Sequence, residues 1–187
     1  KNDYSLFIRH NQEKVGIVAV YVDDVILTGT DQEAIASLKK HLDQMFSIKD
    51  LRKLHYFLGL EVDYSDDGFL LTQRKFAREL LKSSRLDLSK SVATPLPVHL
   101  KLSLLEGELL SNPEVYRSLV GKLNYLTNTR PDLAYTVQSL SQFMHAPRTS
   151  HWSALHHTLK YVASTVNQGI LLNSSDNLKL QAFSDAD

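Results

Sequence analysis

Gly16-Ile17-Val18-Ala19-Val20-Tyr21-Val22-Asp23-Asp24-Val25-Ile26-Leu27-Thr28-Gly29 decides how this chain folds. Two runs rich in β-branched residues flank a pair of carboxylates, and turn formers bound the whole. Such runs read as two strands of a hairpin, with Asp23 and Asp24 at or beside its tight turn. Tight hairpin turns favour Gly or Asn for their positive φ, and neither lies at this apex. Adjacent carboxylates repel and raise each other's pKa unless a cation sits between them. A divalent metal removes the conflict, since Mg²⁺ takes one or two protein carboxylates together with substrate phosphates. An ordinary Asp-Asp turn is the alternative.

Working outward, strands are expected over 5–8 and 15–22, with the outgoing strand ending at Thr28. Thr30-Asp31-Gln32-Glu33 has the form of a capping box, followed by Ile35, Leu38, Leu42 and Met45 at helical spacing. A second strand pair spans 56–64 and 69–72 across Ser65-Asp66-Asp67-Gly68, and a helix follows over 73–83. The stretch 87–111, containing Thr94-Pro95-Leu96-Pro97, keeps no period and reads as a linker or surface loop. Asn112-Pro113, Arg130-Pro131-Asp132 and Ser150 open three helices, and a hairpin is expected over 169–173 and 178–183.

Lys+Arg and Asp+Glu number 21 each in 187 residues, so the chain has no global basic field. Any nucleic-acid contact must therefore be local. One candidate is Arg74, Arg78, Lys82 and Arg85, which share a helix face at i, i+4, i+8 and i+11. They could meet phosphates or form a solvated face. Without Cys, disulfides and thiol nucleophiles are excluded. No apolar run is long enough to span a membrane. No His pair has the spacing of a helical zinc site, so His145, His151, His156 and His157 are not assigned to metal.

Several ordered blocks accompany the Asp pair. They are Phe46-Ser47-Ile48-Lys49-Asp50-Leu51, Leu54-His55-Tyr56-Phe57-Leu58-Gly59-Leu60-Glu61-Val62, Tyr116 through Thr127, and Thr129-Arg130-Pro131-Asp132. With Tyr21-Val22-Asp23-Asp24 they resemble, in order and over nearly the whole chain, a Ty1/copia-type retrotransposon reverse transcriptase, a segment of a Pol polyprotein. The resemblance implies an α+β chain. Residues 1–86 would be the rear of the polymerase palm, an antiparallel sheet with helices carrying the catalytic hairpin and primer grip. Residues 87–111 would be a linker, 112–168 helical thumb and connection, and 169–187 the first hairpin of an RNase H-like domain. The chain then reads as a fragment.

By the same resemblance, Asp23 and Asp24 would be catalytic and hold two Mg²⁺ (or Mn²⁺) ions with a third Asp upstream of Lys1. The metals would clamp the attacking 3′-hydroxyl and the leaving pyrophosphate oxygen. Asp23 would be the closer ligand, Asp24 the more peripheral. Tyr21 and Val22 would contact nucleotide and primer, as would Phe57, Leu58 and Gly59, although Gly59 read alone suggests a bulge. Arg117, Gly121 and Tyr125, at i, i+4 and i+8, would follow the duplex behind the primer end, while Gly121 alone would also suit helix packing. Lys49 would be a candidate general acid, and Asp185 the first carboxylate of an incomplete RNase H metal site. The implied partners are an RNA template, a DNA or RNA primer, deoxynucleoside triphosphates and the rest of the Pol polyprotein, with no membrane. The implied setting is a cytoplasmic virus-like particle, with organelle and nucleus also open.

Some residues depart from the family pattern. Arg52 stands where Gly is usual and where a positive φ is expected. Val162-Ala163-Ser164-Thr165 and His156-His157 also differ. They raise a second reading, a non-catalytic remnant of a decayed element that at most binds nucleic acid.

Overall fold

The computed structural model describes residues 5–174, which belong to two compact units dividing between Phe57 and Leu58. Asp185 and the strand expected over 178–183 lie outside the described residues.

The first unit is an antiparallel meander of β1 (Leu6–Asn11), β2 (Lys14–Tyr21) and β3 (Asp24–Gly29), followed by α1 (Gln32–Phe46). Pairing of Tyr21 with Asp24 leaves Val22-Asp23 as a two-residue loop. Gly29 has φ +136°, and a Cβ there would collide with the Val15 carbonyl oxygen, so the strand end requires glycine. The cap of α1 differs from the expected box. Asp31 accepts from the Ala34 N–H at 3.1 Å, while the Thr30 hydroxyl accepts from the Val15 N–H at 2.9 Å. Thr30 is thus drawn to the sheet, and its neighbour caps the helix. The core of this unit is thin: no α1 side chain is buried, and Leu6, Phe7, Ile8 and Phe46 are exposed.

Between α1 and the two-residue strand β4 (Tyr56–Phe57), the chain is shaped by Asp50. Its carboxylate accepts from the Arg52 N–H at 2.8 Å and pairs with Lys39 at 3.1 Å. Those two bonds, the backbone one first, hold the Asp50 carboxyl below its ordinary value. Arg52 has φ +65°, as expected at a position that favours Gly.

The second unit contains β5 (Leu60–Ser65), β6 (Gly68–Thr72), α2 (Arg74–Ser84), α3 (Pro113–Leu126), a 3₁₀ turn (Pro131–Leu133) running into α4 (Ala134–Ser141), α5 (Thr149–Ser164) and β7 (Ile170–Asn173). The strand expected over 56–64 is broken at Leu58-Gly59. Both have positive φ, +48° and +79°, the signs of a two-residue turn of the I′ type and not of a bulge. β7 runs antiparallel to β6, with Leu71 opposite Ile170 and Gly68 opposite Asn173. The stretch 169–173 therefore belongs to this unit's sheet. Gly169 must be glycine, because a Cβ would strike the Leu71 carbonyl oxygen.

The core lies between the helices. Leu80, Tyr116, Leu119, Val120, Leu123, Leu133, Leu140, Leu155, Leu159 and Val162 are buried at the apolar spacing that the sequence displays. Asn112 caps α3, accepting from the Glu114 N–H at 3.2 Å. The Tyr116 hydroxyl donates to the Leu140 carbonyl at 2.8 Å, and burial pushes its pKa far up. The stretch 87–111 lies inside this unit, strapped along α5. His156 donates to the Asp87 carbonyl at 2.8 Å, His157 to that of Thr94 at 3.0 Å, and His151 to that of Ser103 at 2.9 Å. Arg148 donates to the Leu104 and Gly107 carbonyls at 2.6 and 2.7 Å. The helix histidines thus hold the loop.

Candidate catalytic hairpin and nucleic-acid surface

The tip of the β2–β3 hairpin displays its residues. Tyr21 is 54% exposed, Val22 81% exposed, and both Asp23 and Asp24 face solvent. Val22 carries φ +52°, whereas Asp23 does not have positive φ. A β-branched residue in the left-handed region is a genuine outlier and costs about 1–3 kcal/mol. Positive φ at the first loop residue alone is the sign pattern of a II′ turn, where Gly is usual. The strained apex holds two neighbouring carboxylates clear of the sheet, one in the loop and one on the first residue of β3.

These carboxylates can supply oxygen ligands to a hard divalent cation. Among the described residues, no group of three or more His, Cys, Asp or Glu side chains converges as a metal cage. The hairpin therefore offers two carboxylate donors and not a full ligand set. Lys49, in the same unit, is exposed and follows the left-handed cap Ser47.

In the second unit, the Leu58–Gly59 turn meets α3. The Tyr125 hydroxyl donates to the Leu58 carbonyl, and the Tyr125 ring packs edge-on against Phe76 of α2 at 4.9 Å. Arg117, Gly121 and Tyr125 do fall on one outward side of α3, but their surroundings differ. A Cβ on Gly121 would meet nothing within 4 Å, so no packing contact explains this glycine. Arg117 donates to the carbonyls of Met144 and His145 at 2.8 and 3.2 Å, bonds that tie the end of the α4 region to α3.

The basic stripe on α2 divides in the same manner. Arg74 pairs with Glu61 at 3.0 Å and Asp63 at 2.7 Å, and Glu61 also accepts from the Lys75 N–H at 2.7 Å, so Arg74 fastens α2 to β5. Arg78, Lys82 and Arg85 are exposed, with Arg78 reaching Asn167 at a long 3.4 Å. Lys122 of α3 reaches Ser83 at 3.1 Å, a cation beside the stripe that spacing within one helix could not reveal.

The block Thr129-Arg130-Pro131-Asp132 forms a buried lock. Arg130, 3% exposed, grips Asp132 and donates to the Thr165 carbonyl at 2.9 Å and to its hydroxyl at 2.8 Å. Its signal in sequence is an Arg two residues before an Asp at a helix start, but its third partner lies 35 residues on.

Residues 1–98 match the family profile described as reverse transcriptase (RNA-dependent DNA polymerase). The chain belongs to that family. Two retrovirus-related Pol polyproteins of Arabidopsis thaliana, from transposons RE1 and RE2, are 43% and 42% identical to the whole chain. The corresponding polyprotein from transposon TNT 1-94 of Nicotiana tabacum is 33% identical over 97% of it. These place the chain with the Ty1/copia-type Pol polyproteins. It spans only 13% of the length of the RE1 and RE2 proteins. An uncharacterized mitochondrial protein of Arabidopsis thaliana is 38% identical over 90% of the chain, which covers 70% of that protein. No solved structure matches. Among the described residues, no helix is long and apolar enough to cross a membrane.

Proposed function

We propose that this chain is part of an RNA-directed DNA polymerase encoded in a copia-type Pol polyprotein. The observation that carries the reading is the β2–β3 tip. In a chain of this family, a β-branched residue strained at positive φ presents two adjacent solvent-facing carboxylates. Backbone strain of this kind clusters at functional sites, where the surrounding structure holds a conformation that free chain avoids.

In this reading Asp23 and Asp24 would hold Mg²⁺ or Mn²⁺, Asp23 as the closer ligand, and the ion would supply charge stabilisation for the oxygens of nucleotidyl transfer. Tyr21 and Val22 line the nucleotide and primer. Lys49 is an exposed cation suited to proton donation at the leaving group. In the second unit, Phe76 and α3 support the Leu58–Gly59 turn, which with Phe57 grips the primer. The open surface at Gly121, flanked by the exposed part of the Tyr125 ring, lies along the duplex. Arg78, Lys82 and Lys122 supply phosphate contacts, whereas Arg74 and Arg117 serve mainly to hold elements together. The partners are template RNA, primer and deoxynucleoside triphosphates, in the setting of a cytoplasmic virus-like particle. Asp185, outside the described residues, would be the first carboxylate of an RNase H-like domain, while 170–173 pair with β6.

One experiment tests it: Mg²⁺-dependent extension of an RNA-templated primer by the enzyme carrying this chain, with Asp23 and Asp24 each changed to Asn. A remnant that only binds nucleic acid is the second reading. Arg52 favours it, because an Arg at φ +65° where the family uses Gly is a cost without an evident return. Duplex binding without incorporation by the unmutated enzyme would select that reading.

A further inference from the structure

We propose that Tyr125 is a positioning residue that couples α3 to the Leu58–Gly59 turn, setting the turn's place through its hydroxyl while its ring lies toward the duplex. The inference rests on the reverse-transcriptase reading for its functional consequence, although not for the contact itself.

Four observations converge on this one side chain. The hydroxyl donates to the Leu58 carbonyl, at the first residue of the turn. Leu58 has φ +48°, an unfavourable conformation for a residue with a Cβ, so the turn needs an external hold. Gly59 has φ +79°, and a Cβ on it would lie 2.8 Å from the Tyr125 hydroxyl oxygen and 3.4 Å from the ring. Glycine is thus required here twice, by backbone conformation and by the approach of Tyr125. Finally, Phe76 of α2 packs edge-on against the tyrosine ring at 4.9 Å, which limits the directions in which the hydroxyl can point.

The tyrosine is 38% exposed. One edge of the ring therefore remains open beside Gly121 while the hydroxyl is committed to the turn. A duplex lying on this face of α3 and a primer end held by the turn would be registered to each other through a single residue. Tyr125→Phe separates the two roles, because it keeps the ring and deletes only the bond to Leu58.

The link is tested first in this chain by a double-mutant cycle of Tyr125→Phe and Gly59→Ala. Each single change should raise the unfolding equilibrium constant on the order of tenfold, and the pair should fall short of the hundredfold product by roughly threefold to fivefold, the share of the Gly59→Ala cost that comes from the hydroxyl, since the strain at φ +79° persists in either background. Additive effects would overturn the link. The consequence is then read in the polymerase that carries the chain. Tyr125→Phe should lower kcat for single-nucleotide addition on the order of tenfold at saturating template–primer, leaving KM for template–primer within about twofold. A raised KM with unchanged kcat would make Tyr125 a duplex contact only and overturn the positioning role. Failure of the reverse-transcriptase reading would show separately, as no incorporation by the unmutated enzyme, with the cycle in the chain still deciding the link.

Discussion

Arg130 and Asp132 face each other as fork and carboxylate, with Nε to Oδ1 at 2.9 Å and Nη2 to Oδ2 at 2.8 Å. The guanidinium is buried, lies 5.5 Å from the Tyr161 ring centre, and shares Asp132 with the Tyr161 hydroxyl, which donates to it at 3.0 Å. The pair closes the turn between α3 and α4 and bolts it to the end of α5. Arg130→Lys keeps the charge but cannot reproduce the fork, and should destabilise the second unit by about 3 kcal/mol in urea unfolding. Burial raises the Asp132 carboxyl, but Arg130 and Tyr161 outweigh it and hold the group below its ordinary value. Its stabilising effect is therefore complete above the ordinary carboxylate range and is lost as acid titrates the folded protein.

His151 gives an acid dependence nearer neutrality. Its Nδ1 accepts from the Arg148 N–H at 3.0 Å, its Nε2 donates to the Ser103 carbonyl, and its ring stacks on Phe143 at 3.9 Å. Burial, opposed by the Ser103 bond, pushes its pKa below 6.5. A group depressed in the folded state contributes stability that is full above its unfolded pKa, here 6.5, and that falls as pH drops below it. Urea midpoints should fall from pH 7.5 to pH 5, and His151→Gln should flatten that slope. An unchanged slope would place the titration elsewhere.

Gly121 separates packing from function. Since nothing lies within 4 Å of a Cβ there, Gly121→Val should leave stability unchanged or raise it by up to about 0.5 kcal/mol, as a mid-helix glycine is replaced. It should nonetheless weaken template–primer binding on the order of tenfold by holding the duplex off α3. Equal affinity for the duplex would show that this face does not meet it.

Val22 offers a test of strain. Asn adopts the left-handed region more readily, so Val22→Asn should stabilise the first unit by about 1 kcal/mol in hydrogen exchange or urea unfolding. If the apex is strained for use, the same change should raise KM for deoxynucleoside triphosphate in the polymerase.

Local signals in the sequence proved accurate. Asn112-Pro113 caps α3 as its order implies, the two Asp sit at a hairpin tip, and Arg52 adopts the positive φ expected of a glycine position. Errors arose where a distant partner decides. Thr30 has the form of a cap, but the Val15 N–H takes its hydroxyl. Leu58-Gly59 lacks the Asn-Gly signature of a turn, and its support comes from Tyr125, 67 residues on. The resemblance places Arg117 along the duplex, and spacing could not show that it also donates to two carbonyls 27 and 28 residues later. The histidines of α5 show no motif because their partners are backbone carbonyls of a loop without a period. The pairing of β7 with β6 joins stretches about a hundred residues apart and leaves no mark in either.

Metal-dependent nucleotidyl transfer by Asp23 and Asp24, with Asp23 as the closer ligand, is a proposal that one measurement decides. The direct measurement is single-nucleotide primer extension on an RNA template with Mg²⁺, comparing the polymerase that carries this chain with its Asp23→Asn and Asp24→Asn forms. Each change deletes a charge and little volume at an exposed site, so folding should be retained. Asp23→Asn should lower the rate at least roughly a thousandfold, and Asp24→Asn by less. Undiminished extension by a folded Asp23→Asn enzyme would contradict the proposal.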